Sequence, residues 1–432
     1  MSSNRWQNAW FPVAFLRDLD RDRPTPFTLV GQDLVLWFDR HAGEWRAFAD
    51  VCPHRLVPLS DGRLNAAGEL ECPYHGWSFD GSGRCTLQPQ AEPGSSISGR
   101  SHCRSYATAC AQGLLFIFSG PSEQAREQPL PLVPVLDEAG WVVQDTFRDL
   151  PMDALTLLEN VLDASHVPFT HHATVGRREN AAPVALALTG FDRDGFTGLW
   201  EEGPRRGKLG SQHTRFLAPG LMWHDLTAKG FARILTVVYA VPTRPGECRL
   251  IARFPFQFSS PWPGRLLRLR PQWLQHIGNH TVLEDDQLFL HWQERVIEQR
   301  GGRHDALRQY HLPTQADLYV RALHDWVNRY GGEPFPGQPL PQRQTRQALM
   351  ERFEAHTRHC RSCAGADRRL KRLQPLCWIL VALAGLGAAW SGPGWAGGIA
   401  LAFGVALALA AWRIRRWRQL LRFGSGLPPR NH

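Results

Sequence analysis

Four side chains between Val51 and Trp77 have the types and spacing to hold metal. Cys52 and His54 form one pair, and Cys72 and His75 form a second, seventeen residues further on. By type alone, two thiols and two imidazoles suit tetrahedral zinc. Each Cys is followed by a proline (Pro53, Pro73), and Gly62, Gly68 and Gly76 mark turns, so each pair belongs on a short loop. A second group lies in LTLLENVLDASHVPFTHH, from Leu155 to His172. Leu157, Leu158, Val161 and Leu162 are spaced as one apolar helix face. Glu159, Asp163 and His166 follow at i, i+4 and i+7 and share another face. Pro168 disfavours helix at Val167 and is expected to turn the chain, bringing His171 back toward His166. Two histidines so placed can bind one metal ion at adjacent positions.

Two hairpin-tip loops that each give one Cys and one His are the arrangement of a Rieske 2Fe–2S cluster. There the thiolates bind one iron and the imidazoles the other, which raises the potential to roughly −150 to +300 mV. The run CPHR…GR…CPYHGWSFD…G resembles the Rieske motif of ring-hydroxylating oxygenases, which implies Cys52, His54, Cys72 and His75 as cluster ligands. The spacing Asn160-x-x-Asp163-x-x-His166-x-x-x-x-His171 resembles the mononuclear iron motif of the same enzymes. Its four-residue gap favours His171 over the adjacent His172. Such an iron takes two His and one carboxylate and keeps positions open for dioxygen. Asp285 and Asp286 are the candidates for that carboxylate. Val282, Leu283, Phe289, Leu290, Val296 and Ile297 form one apolar stripe, and Asp286 lies inside it with Gln293. Asp285, about 100° further round, is expected to face outward. A carboxylate on an apolar stripe is costly unless paired or metal-bound, which selects Asp286.

The elements that position these residues read as α+β. Short strands occupy residues 5 to 50, with a hairpin turning near Gly31 and another strand starting at Glu44. Gly113 to Phe118 reads as a buried strand of the same β-domain, and the Pro-rich run Pro121 to Pro134 as a linker. Strand-like runs recur at Phe196–Trp200, Arg233–Ala240 and Arg249–Phe256, and a helix at Gln315–Arg329. The expected division is a Rieske domain at 1–125, an iron-binding catalytic domain at 126–342, and a basic linker at 343–374. A transmembrane hairpin at 375–412 and a basic tail at 413–432 follow. The resemblance implies the helix-grip fold for the catalytic domain.

The C-terminal part has its own chemistry. Cys360 and Cys363 form a Cys-x-x-Cys pair, read as redox thiols accessible to a thioredoxin-type reductant. A zinc knuckle would need two more ligands, and only His356 and His359 are near in sequence. Residues 375–390 and 395–412 carry no charge, and Ser391 to Gly394 separates them as a turn. At 1.5 Å per residue they reach roughly 24 and 27 Å, close to a hydrocarbon core. Small residues at Ala384 and Ala388, and at Ala400, Gly404 and Ala408, permit close helix contact. From Arg343 onward fifteen Arg or Lys face three acids, although the whole chain of 432 residues carries only +9. The remainder is therefore slightly acidic, and nucleic acid is excluded as a partner. Basic flanks outside both apolar runs place both ends, with the catalytic part, on the cytoplasmic or stromal side. No apolar h-region opens the chain, and nine cysteines make no disulfide framework, so a reducing compartment is expected.

Taken together, the motifs are similar to those of the pheophorbide a oxygenase family, whose members act on chlorophyll-derived macrocycles in photosynthetic membranes. The resemblance implies a monooxygenase that uses dioxygen and electrons from a ferredoxin or ferredoxin-type reductase. It also implies a hydrophobic ring substrate, a thylakoid or plasma-membrane location among lipids, and a homotrimer. Asp163 would bridge His166 to a cluster histidine, and Asn160 would shape the pocket beside the iron. Oxygenation of another lipophilic ring, such as a sterol or aromatic ether, is the alternative activity; a membrane electron carrier is the alternative class.

Overall fold

A computed structural model describes residues 4–424 apart from 93, 229–230 and 302–305, so the tail is described only as far as residue 424. It divides into two compact units. The first is Met1–Arg268 with Phe289–Arg343, the second Leu269–Leu288 with Gln344–His432.

In the first unit, three small antiparallel sheets make the N-terminal part. Trp10–Phe15, Leu114–Phe118 and Thr108–Ala111 form one, its central strand LLFIF buried at every residue. Thr25–Leu29, Gln32–Asp39, Glu44–Ala49 and Ser105–Tyr106 form the second, with Gly31 in the left-handed turn (φ +76°) that its hairpin requires. Four two- or three-residue strands between Arg63 and Leu87 form the third; the Cys72/His75 loop projects from it, and the Cys52/His54 loop joins it to the second.

A seven-stranded antiparallel sheet follows. Its order is Val142–Leu150, Glu247–Phe258, Phe231–Arg244, Leu221–Leu226, Gln212–Leu217, Gly195–Trp200, Leu186–Asp192. All three expected strand runs lie in it. The helix Leu318–Trp326 packs on this sheet through Tyr319 against Phe196 (ring centroids 5.9 Å) and Trp326 edge-on to Phe216 (5.2 Å). Gly198 is what lets Tyr319 approach, since a Cβ there would lie 2.4 Å from its ring. The run Pro121–Pro134 is no loose linker. Ala125 and Val133 are buried, Trp10 Nε1 donates to the Gln128 carbonyl (3.0 Å), and the Tyr239 hydroxyl donates to the Pro131 carbonyl (3.0 Å). The segment is thus fastened both to the N-terminal strands and to the large sheet.

Backbone bonds from Val30 N to Pro242 O (2.9 Å) and Gly31 N to Thr243 O (2.8 Å) tie the first hairpin to the large sheet. Arg249 adds a rivet. Its guanidinium makes a two-pronged pair with Asp149 (2.6 and 2.8 Å), donates to the Val13 carbonyl (2.9 Å), and lies over the Phe27 and Phe147 rings.

The second unit contains the helices Arg361–Ser391 and Trp395–Arg422, joined at Gly392 (φ +66°). The apolar hairpin is as expected, but its first helix starts at Arg361 and runs through Pro375, so Cys363 belongs to it. The two helices touch at small residues: a Cβ on Gly404 would sit 3.4 Å from that of Ala384. Asp367 pairs with Arg422 (2.7 Å) and Arg418 (3.4 Å) at the hairpin base. Both helices are long and apolar enough to cross a membrane, with Trp378, Trp390, Trp395 and Phe403 exposed.

Removing the Arg249 rivet tests its weight. Arg249→Ala is expected to destabilise the first unit by about 2 kcal/mol, through loss of charge-assisted bonds and ring packing. Chemical denaturation followed by tryptophan fluorescence measures this, and an unchanged midpoint would show that the backbone ties alone suffice.

Candidate metal centres

The two Cys/His loops are built alike. In each, the Cys N–H donates to the carbonyl five residues on (Cys52 to Val57, Cys72 to Trp77, both 2.8 Å). In each, the Cys carbonyl accepts from the N–H four residues on (Leu56, 2.9 Å; Gly76, 3.2 Å). That fourth residue is left-handed in both: Gly76 at φ +73°, and Leu56, a branched residue, at +59°. The shared geometry buries the thiols of Cys52 and Cys72 among Val35, Trp37, Phe48, Leu59, Leu70 and Phe79 and leaves the imidazoles outermost. The His54 and His75 rings lie 4.5 Å apart, and His54 stacks on Trp77 (4.4 Å, 2°). Desolvation and the neighbouring Cys72 push the Cys52 thiol up to about 11, so Cys52 ionises only against a cation. Desolvation, then the charges of His54 and Arg55, lower His75 and keep it in the neutral, ligating form. Two buried thiols and two outer imidazoles fit a 2Fe–2S cluster with its histidine-bound iron toward solvent.

At the second centre the helix Ala154–Leu162 is capped by Asp153, whose side chain accepts from Leu155 N (3.0 Å). It stops at Leu162. Asp163 is extended (φ −77°, ψ 108°), so it does not share a continuous helix face with His166. Pro168 starts a helix rather than breaking one. It sits in the first turn of the short helix Val167–Thr170, where its missing N–H costs nothing. His166 and His171 are the residues flanking that turn, and their rings lie 5.3 Å apart. His171 is buried, whereas His172 Nδ1 accepts from Arg178 N (3.0 Å).

His166 Nδ1 donates to the main-chain carbonyl of Asp163 (2.6 Å), which fixes the tautomer with the proton on Nδ1 and the lone pair on Nε2. The Asp163 carboxylate is 3.7 Å from the same ring nitrogen, and its Oδ1 accepts from Ser165 N (2.7 Å) and Oγ (2.6 Å). Burial works to raise this carboxyl, but His166 and the two Ser165 bonds outweigh it and hold it below its usual range.

Two flanking networks were not legible in sequence. His224, on the strand Leu221–Leu226, holds the Val161 carbonyl at the helix end through Nε2 (2.9 Å) and meets Thr214 Oγ1 through Nδ1 (2.8 Å). Desolvation lowers it to about 4, so it is neutral. Glu159 accepts from His324 Nε2 and from the Tyr310 hydroxyl (both 2.8 Å), and Tyr310 in turn accepts from Gln293 Nε2 (3.0 Å). Asn160 is partly buried in the same last helical turn.

Asp286 lies on the helix Gln272–Gln299, which supplies residues to both units. The expected phase of this helix needs correction. Asp285 is buried (5 % exposed) like Asp286 (7 %), while Phe289 and Val296 are exposed (43 and 45 %). The buried face is polar: His276, His280, Glu284, Gln287, His291 and Glu294 repeat every three or four residues along it. The thiols Cys360 and Cys363 are fully buried and unjoined, so the expected access for a reductant is absent.

Comparison with known proteins follows this geometry. The Rieske [2Fe-2S] domain profile matches residues 9–107, and the pheophorbide a oxygenase profile matches residues 216–304. Chloroplastic pheophorbide a oxygenase of Arabidopsis thaliana is 37 % identical over 399 residues, covering 84 % of this chain and 73 % of its own. The chain belongs to the pheophorbide a oxygenase family. Chloroplastic flavonoid 8-hydroxylase 2 of Ocimum basilicum is 30 % identical over 420 residues, covering 88 % of this chain and 78 % of its own. Pseudomonas putida NdmA with caffeine shares the fold (TM-score 0.62, 20 % identity, covering 74 % of this chain and 90 % of that one). The protein is therefore a Rieske non-heme iron oxygenase with a 2Fe–2S cluster, a mononuclear iron and dioxygen as co-substrate. Membership brings a ferredoxin-type electron donor and a small-molecule substrate.

The strained residue at the first cluster loop gives a test. Leu56 is 74 % exposed, so Leu56→Gly removes left-handed strain of about 1–2 kcal/mol at little packing cost. Glycine's greater freedom when unfolded returns about 0.5–1 kcal/mol. A net gain between zero and about 1.5 kcal/mol by thermal unfolding is expected, with the cluster's EPR signal unchanged; a loss would show that the Leu56 side chain holds the loop.

Proposed function

We propose that this chain is a membrane-anchored Rieske monooxygenase that oxygenates a chlorophyll-derived tetrapyrrole. The observation that carries the reading is the 37 % identity to a pheophorbide a oxygenase across both oxygenase parts of the chain. Residues 1–125 form the cluster domain in this reading and 126–342 the catalytic domain, with residues 375–412 spanning the membrane. The basic runs outside the hairpin argue for both ends on the cytoplasmic or stromal side. A second reading, hydroxylation of a phenolic ring, is favoured by the flavonoid hydroxylase relative.

Cys52, Cys72, His54 and His75 hold the cluster, and His166, His171 and Asp286 hold the iron. Helix phase supports Asp286. Gln293, seven residues further on the same helix, faces Glu159 through Tyr310, and Glu159 belongs to the helix that leads into His166. When bound, the two metal groups supply one-electron storage and dioxygen activation. Insertion of one oxygen atom into the substrate, with the other leaving as water, consumes two electrons and two protons. The main-chain carbonyl of Asp163 keeps His166 in its ligating tautomer, while His224 fixes the helix end just before it. The carboxylate of Asp163, 30 % exposed, is left to receive the N–H of His54 or His75 from a neighbouring subunit of a homotrimer. Asn160 lines the pocket beside the iron.

Oxygen uptake with a ferredoxin reducing system, comparing pheophorbide and chlorophyllide with a flavone, tests the substrate. Uptake coupled to tetrapyrrole product supports the proposal, and coupling to the flavone alone replaces it with the second reading. Asp163→Asn tests the bridge. Because His166 leans on the carbonyl, iron content is expected to survive, while single-turnover product formation from a pre-reduced cluster falls well over tenfold. A wild-type rate would confine Asp163 to ordering the turn.

A further inference from the structure

Beyond the oxygenase centres, the second unit gathers four more metal-ligating groups around one point. His276 comes from the first half of the helix Gln272–Gln299, His356 from the single turn Phe353–Thr357, and Cys360 and Cys363 from the start of Arg361–Ser391. All four are buried, and one ligand atom from each lies within 4.8 Å of every other. His276 Nδ1 and His356 Nε2 are 2.9 Å apart. Cys363 Sγ is 3.4 Å from both nitrogens, and Cys360 Sγ is 3.6 Å from His276 Nδ1. We infer that His276, His356, Cys360 and Cys363 form a closed structural zinc site.

Three arguments carry it. The first is metric. Zinc binds sulfur at about 2.3 Å and histidine nitrogen at about 2.0–2.1 Å, so a tetrahedron has N···S edges near 3.5 Å and an N···N edge near 3.3 Å. The observed sulfur–nitrogen separations of 3.4 to 3.6 Å match, and the two nitrogens need to part by only a few tenths of an ångström. The second is proton counting. A hydrogen bond between the two imidazoles would explain one edge, but one ring proton cannot also serve two thiols converging on the same nitrogen. The third is charge. Two thiolates exactly cancel one divalent cation, so the filled site is neutral and tolerates complete burial, whereas two buried thiolates alone would not. Four protein ligands leave no open position, which marks a structural rather than a catalytic metal.

The site has a mechanical consequence. Zinc would join His276 to ligands 80 to 87 residues further along the chain, closing a long loop and clamping the first turn of the membrane hairpin to the helix that carries Asp286. His280, one turn after His276, packs its ring on His356 (4.3 Å) and fixes that ligand's orientation. Three of these four, Cys360, Cys363 and His356, are near one another in sequence; the fourth, His276, lies far upstream, and His359 is not part of the set.

Elemental analysis of the full-length protein, purified in detergent with its iron centres loaded, tests the inference. About one zinc per chain is expected beside three irons. Zinc-edge X-ray absorption of the same wild-type sample should show two sulfurs near 2.3 Å and two nitrogens near 2.0–2.1 Å. The double variant Cys360→Ser, Cys363→Ser is expected to lose at least tenfold in zinc while keeping the Rieske EPR signal; Cys377→Ser is the control that keeps both. Less than a tenth of a zinc per chain in iron-replete protein would overturn the site, as would a fourth iron in its place. So would a Cys360–Cys363 disulfide found by mass spectrometry after thiol trapping at lysis. The wild-type absorption measurement decides the question even if the double variant does not fold.

Discussion

A helix that buries its charges must be met by a partner at nearly every turn, and the helix Gln272–Gln299 imposes that constraint on its surroundings. Within the second unit, Glu284 receives both prongs of Arg352 (2.5 and 2.7 Å), each side chain almost fully enclosed. Gln287 donates to the Leu349 carbonyl (2.6 Å), and His276 faces His356. Within the first unit, His291 donates to the Pro151 carbonyl (2.6 Å) and Glu294 accepts from Asp153 N (2.6 Å). Losing one member of such a pair strands the other in a low-dielectric interior, at a cost of about 3–5 kcal/mol. Within each unit, the segments that meet this helix are therefore held in register with it. Asp153, which caps the helix leading to His166, is one of them.

Function rests on local geometry of the same kind. The two cluster loops reach one conformation with different residues at the left-handed position, which puts thiols inside and imidazoles outside. At the proposed iron centre a single helical turn separates His166 from His171, and a main-chain carbonyl sets the tautomer of His166. Neither device depends on a side chain that could rotate away. Both belong to an enzyme that has to hold two metal groups steady while electrons and protons arrive separately.

Much of this was legible because the key spacings are short. Cys52, His54, Cys72 and His75 lie on two short, similarly bonded loops, and His166 and His171 on one turn, so local sequence contains their geometry. The apolar hairpin was legible by length, and the close approach of Ala384 and Gly404 by residue size. The long helix misled because periodicity assumes an apolar core face. Its buried face is its polar one, which turned Asp285 inward and left Phe289 and Val296 exposed. Pro168 was misread because a proline at a helix start and one at a helix end look alike in sequence. His224, His324 and His276 escaped because each meets its partner across 63 to 165 residues of chain, which no local pattern encodes.

The central claim is that the chain inserts oxygen with its own Rieske cluster supplying one of the two electrons, the other being held at the mononuclear iron site. Its most direct test is a single turnover of pre-reduced protein under ¹⁸O₂ with the tetrapyrrole that supports oxygen uptake. One ¹⁸O atom in each product molecule, with no product from protein left oxidised, is the predicted result. Product oxygen drawn only from water, or oxygen reduced to peroxide with the ring unchanged, would contradict it.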